Sequence, residues 1–143
     1  MTAFHGWISE NLRTVLDTLL GGVAAAIVTV YVSNRQEKTK ISLNIINDYL
    51  QKYDEMAVVR HLLENPSELA GATEINRVKS LGNWYEIVAA LYNSRKADRA
   101  ILKQIGIKKQ AQSFYTAAMK ASMNGPSLQK AVSGWIELKQ LTQ

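Results

Sequence analysis

The sequence predicts an all-α protein, in which an N-terminal transmembrane helix continues into, or is followed by, a cytoplasmic helical bundle. Three observations predict it. No segment alternates apolar and polar residues long enough for a strand, whereas apolar residues recur at helical spacing from Ile41 onward. Only 2 prolines and 8 glycines punctuate the 143 residues, so long helices are permitted. Finally, Thr18 to Asn34 carries no charge and is bounded by Asp17 and Arg35. Between Leu19 and Val32 its only polar side chain is Thr29, so no face of that helix suits water.

The span is expected over about 15–34, dividing the chain into 1–34 and a helical domain at 35–143. At 1.5 Å per residue the uncharged run reaches about 26 Å, near the thickness of a hydrocarbon core. Trp7 and Tyr31 stand near its two ends, where amphipathic rings prefer to lie. Arg35, Lys38 and Lys40 follow it closely, against Arg13 alone before it. That asymmetry predicts a single-pass protein of the inner membrane, with its N-terminus outside and its C-terminal domain in the cytoplasm. A secretory signal fits less well, because Glu10 and Asp17 oppose Arg13 in the leader. A buried helix of a soluble bundle is the rival reading. Gly22 and Ala26, with Gly21 and Ala25 on the adjacent ridge, form small-xxx-small pairs that let helix backbones approach. They predict a homo-oligomer or a protein partner.

Beyond the span, helix either runs on unbroken, from a start near Ser9 to Leu63, or is kinked at Asn34. Its apolar stripe is Leu43, Ile46, Leu50, Tyr53, Ala57 and Leu63, widened by Ile45, Tyr49, Met56, Val59 and Leu62. Asn65-Pro66-Ser67 ends it. Thr73 is the expected N-cap of a helix running to Asn93, with Glu74 in its first turn and Val78, Leu81, Tyr85, Val88, Ala89 and Tyr92 facing inward. Gly82, costly inside a helix, predicts a close helix crossing there. Ser94 is expected to cap a short helix ending near Ile105, with Gly106 left-handed after it. A helix over Lys108–Met123 stops at Asn124-Gly125, and Pro126 opens one last helix to Leu141.

The charge is concentrated. Arg95, Lys96, Arg99, Lys103, Lys108 and Lys109 are opposed within that stretch only by Asp98, which accounts for the whole net charge of +5. Such a basic patch suits phosphate-bearing partners, anionic lipid headgroups ahead of nucleic acid. The absence of Cys excludes disulfide scaffolds and thiol chemistry. No glycine-rich phosphate loop, nucleophile elbow or Glu-x-x-His pair occurs. His61 with Glu64, or Glu86 after Trp84-Tyr85, is better read as a surface histidine and an internal hydrogen-bonding acid than as a reacting group. No catalytic residue, metal or cofactor is expected.

Leu81-Gly82-Asn83-Trp84-Tyr85-Glu86, then the basic turn, then Ile101-Leu102-x-x-Ile105-Gly106 and Ala111 to Tyr115, resembles a family of small bacterial proteins of unknown function. The resemblance covers Ile41 to Met123. It implies one N-terminal membrane helix, a cytoplasmic helical domain and no catalytic residues. It also brings in a role in conflict between bacteria and phages. The expected function is therefore a membrane-anchored, self-associating interaction or regulatory module. The alternatives are a membrane-perturbing or phage-exclusion effector, and a soluble helical nucleic-acid-binding protein.

Overall fold

A computed structural model describes residues 2–69, 71–123 and 125–143, with side chains from Gly21 onward. Among the described residues the chain is helical throughout. The elements are α1 (Thr2–Gln51), α2 (Tyr53–Glu64), a 3₁₀ turn (Pro66–Glu68), α3 (Ala72–Asn93), α4 (Arg99–Gln104), α5 (Ile107–Ser122), α6 (Pro126–Gly134) and α7 (Ile136–Leu141). The chain divides into two compact units, Met1–Glu37 and Lys38–Gln143.

The expected membrane span is not supported. Among the described residues no helix is long and apolar enough to cross a membrane. Within the described residues the shortfall is one of length. The described apolar run of α1, Gly21 to Val32, covers about 18 Å at helical rise, against about 30 Å of hydrocarbon. It then meets Ser33, Asn34 and Arg35. Val15 to Leu20, with Trp7 and Arg13, lie outside the residues whose side chains are described. The single-pass placement in the inner membrane, with an outside N-terminus and a cytoplasmic domain, falls with the span.

The second unit is a bundle centred on α3 and α5. α3 packs on α7, α2 and α6, and α5 on α6, α7, α2, α3 and α4. Val59, Val78, Leu81, Leu102, Ile107 and Leu138 are fully buried at its centre. A chain of rings runs through it: Trp84 to Tyr85 at 5.0 Å, Tyr85 to Phe114 at 5.0 Å, and Phe114 to Trp135 at 5.6 Å between centroids. Such offset contacts add to the gain from burying large apolar area.

The expected close crossing at Gly82 is present. A Cβ there would overlap the Trp135 indole, so only glycine admits α3 to this contact. Trp135 anchors itself by donating its ring N–H to Asn83 Oδ1 at 3.0 Å. Its backbone, at φ −84° and ψ 77°, splits the expected last helix into α6 and α7. The break exposes the first N–H groups of α7, and Glu86 receives them: Glu137 and Leu138 donate to its two oxygens at 2.9 and 2.7 Å. Glu86 is thus an interhelical cap.

Other helix ends differ from expectation in similar ways. α1 stops at Gln51 instead of running to Leu63, because Lys52 leaves helical geometry at φ −92° and ψ 3°. The buried side is then Ile45, Met56, Val59, Leu62 and Leu63, while Leu43, Leu50 and Tyr53 of the expected stripe are exposed. Gly71, not Thr73, is the N-cap of α3. Ser94 ends α3, its hydroxyl donating back to the Ala90 carbonyl at 2.6 Å. Asp98 instead caps α4, accepting from the N–H of Ala100 at 2.9 Å and of Ile101 at 3.3 Å. Gly106 is left-handed as expected, at φ +66°, and Pro126 opens α6. Asn124, the other half of the expected stop before it, lies outside the described residues.

Candidate interaction surface

Within the first unit, the described part of α1 has no wet face and no cover. Val23, Ile27, Val28, Val30 and Tyr31 are 57 to 65% exposed, and Val32 is 45% exposed. Thr29 adds no polarity, since its hydroxyl is turned onto the Ala25 carbonyl at 2.8 Å. Gly21, Gly22, Ala25 and Ala26 lie exposed on the same helix, and nothing stands within 4 Å of where a Cβ of either glycine would be. Contiguous exposed apolar patches of this kind are uncommon on monomeric soluble proteins. Tyr31, Arg35, Lys38 and Lys40 follow along the exposed helix, and the Lys38 carbonyl accepts from the Ser42 hydroxyl at 2.9 Å.

The basic stretch is divided among three elements. Arg95 sits in the loop after α3 at φ +58°, with Lys96 exposed beside it. Arg99 faces back onto α3: its guanidinium donates to the carbonyls of Tyr92 at 3.0 Å and Asn93 at 3.3 Å, and lies 4.8 Å from the Tyr92 ring centroid. There it satisfies the open carbonyl end of α3 and stacks on an aromatic face. Lys103 lies in the last turn of α4, and Lys108 and Lys109 in the first turn of α5.

The polar groups singled out for chemistry are occupied structurally. His61 pairs with Glu68 at 3.4 Å on an exposed surface, and its other ring nitrogen lies 3.3 Å from the Asn65 amide. Glu86 holds the start of α7, while Asn93 steadies the same turn by donating to the Glu137 carbonyl and carboxylate at 3.1 and 2.9 Å. Among the described residues no group of three or more His, Cys, Asp or Glu is placed to hold a metal. Burial pushes the Tyr85 phenol up to about 12, Tyr49 nearby adding to the rise and Arg60 opposing it. Burial, with Glu86 close by, also raises Tyr115.

One feature of the second unit was missed from sequence: an open cleft of about 410 Å³ where α2, α3 and α5 meet. Its lining mixes Arg60 and Glu64 with Lys109, Gln110 and Ser113 over an apolar floor. The helical spacing of Arg60–Glu64 and of Lys109–Ser113–Ala117 is visible in the sequence, but only packing brings the two rows together. Comparison of the chain with protein families, characterised proteins and solved structures finds no match.

Proposed function

We propose that this protein is a helical interaction module that self-associates through α1, the occupant of its apolar face being a second copy of the same helix. The observation that carries the reading is the exposure of Val23, Ile27 and Val30 on a helix with no polar side. Leaving a Val or Ile in water instead of burying it costs about 1.5–3 kcal/mol each, so coverage is strongly favoured. Val23, Ile27, Val30 and Asn34 follow the alternating four- and three-residue steps of a coiled-coil seam. β-Branched residues with one asparagine on such a seam favour a register-fixed helix pair. Gly22 and Ala26 lie beside the seam and permit close backbone approach.

The test is sedimentation of the full chain across a concentration series, with Gly22→Leu, Ile27→Gln and Val30→Gln variants. A concentration-dependent oligomer that Ile27→Gln and Val30→Gln together dissociate is expected. Gly22→Leu is expected to weaken it further if the backbones approach closely. A wild-type chain that stays monomeric across the series overturns the reading.

A further inference from the structure

The α2–α3–α5 cleft lies within the second unit. Its size falls within the range of small-molecule sites, which run from about 300 to 1,000 Å³. The floor is Met56, Leu63, Leu81, Tyr85 and Phe114, all buried. Tyr85 and Phe114 present tilted rings 5.0 Å apart, and the Met56 thioether beside them is a polarizable neighbour for a further ring. This floor is suited to a flat body.

The rim is charged unevenly. Arg60 from α2 and Lys109 from α5 line the cleft together with one acid, Glu64. Both cations are exposed, and among the described residues neither has an ion-pair partner within 4.0 Å. Gln110 is tied down, its amide donating to the Ile105 carbonyl at 3.1 Å. Among the described residues the Tyr85 hydroxyl donates only to the Met56 sulfur, at 3.7 Å. A thioether is a weak acceptor, so a buried O–H donor in the cleft is left with a poor partner. Two unpaired cations and an under-used hydroxyl, all bordering an apolar slot, complement an anion attached to an apolar body. A guanidinium is the better of the two cations for a carboxylate, because its planar fork meets both oxygens at once.

We infer that this cleft is a binding site for a small aromatic carboxylate, its ring seated on Tyr85 and Phe114 and its carboxylate held between Arg60 and Lys109. Nothing in this inference depends on self-association. The experiment titrates the full-length protein with 2-naphthoate, read by calorimetry and by amide chemical shifts. Neutral 2-naphthalenemethanol and aliphatic decanoate serve as parallel probes. Saturable 2-naphthoate binding is expected, with shifts confined to Met56–Glu64, Leu81–Tyr85 and Lys109–Ala117. Arg60→Gln and Lys109→Gln, both at exposed positions where folding is undisturbed, are each expected to weaken it about tenfold. The neutral alcohol is expected to bind at least about tenfold more weakly than the acid. Failure of 2-naphthoate to saturate overturns the site. So does equal binding of the alcohol, or affinity unchanged in both variants, since either removes the role of the cations. Decanoate binding more tightly than 2-naphthoate overturns the aromatic class.

Discussion

At Gly82 the Trp135 indole occupies the space of a missing Cβ. Gly82→Ala must therefore displace a buried ring held by Asn83. Overpacking of this kind costs about 1–3 kcal/mol, and the better helix propensity of alanine returns about 1 kcal/mol. A net loss of up to about 2 kcal/mol in urea unfolding is expected, with a change in tryptophan emission as Trp135 shifts. A fully stable alanine variant would mean that α7 can slide without loss. Tyr85 makes a second prediction at this scale. Its phenol is raised from 10.0 to about 12 chiefly by burial, so the neutral form is favoured by folding. The stabilisation is complete below pH 10 and is lost as pH rises through 12, because the unfolded chain ionises first. The alkaline limb of the stability profile between those values is expected to flatten in Tyr85→Phe.

At the scale of elements, helix ends decide which sequence signals were legible. Pro66, Gly106 and Pro126 act through their own backbone constraints, and each lies where the sequence alone put it. The splitting of the last helix at Trp135 depends on Gly82 and Glu86, some fifty positions upstream, and local propensity carries no trace of that contact. The stripe from Leu43 to Tyr53 faces outward for a related reason. Apolar residues line more than one side of this segment, and which side is buried is set by tertiary packing, in α2 against α3 and α5. Ser42 shows the same dependence. Fully buried, it accepts the Asp98 N–H at 2.7 Å and so ties α1 to the start of α4. Ser42→Ala leaves that N–H without its acceptor, a loss of about 1–3 kcal/mol in thermal or urea unfolding. Glu86→Gln replaces one of two acceptor oxygens with a donor facing the α7 N–H groups, and a loss of similar size is expected. Faster amide exchange at Glu137 and Leu138 would locate the damage at the start of α7.

Across the whole molecule, the apolar residues serve two purposes that composition cannot separate. The buried hydrophobic cluster runs from Ile45 to Leu141 and lies entirely in the second unit. The run from Val23 to Val32 is equally apolar yet exposed. The uncharged run read as a membrane span was legible as greasy, but its described part is too short for that role. The same distinction limits what the candidate surfaces owed to sequence: the α1 face could be read from one run, whereas the cleft required three helices to meet. If exposure and core are independent, substitutions in one should leave the other's signature intact. Val23→Gln, Ile27→Gln and Val30→Gln combined are expected to abolish association while leaving the unfolding midpoint of the second unit unchanged at the dilute limit. Leu102→Ala, at a fully buried position, is expected to lower that midpoint through a loss of about 2–5 kcal/mol. Its α1-dependent association below the transition is expected to persist. Linkage supplies a decisive control, because any contribution of association to folding makes the melting temperature rise with chain concentration. Amide probes in Ile45–Leu141 are therefore expected to report a concentration-independent midpoint, and a rising one would show that the bundle is completed by a second chain.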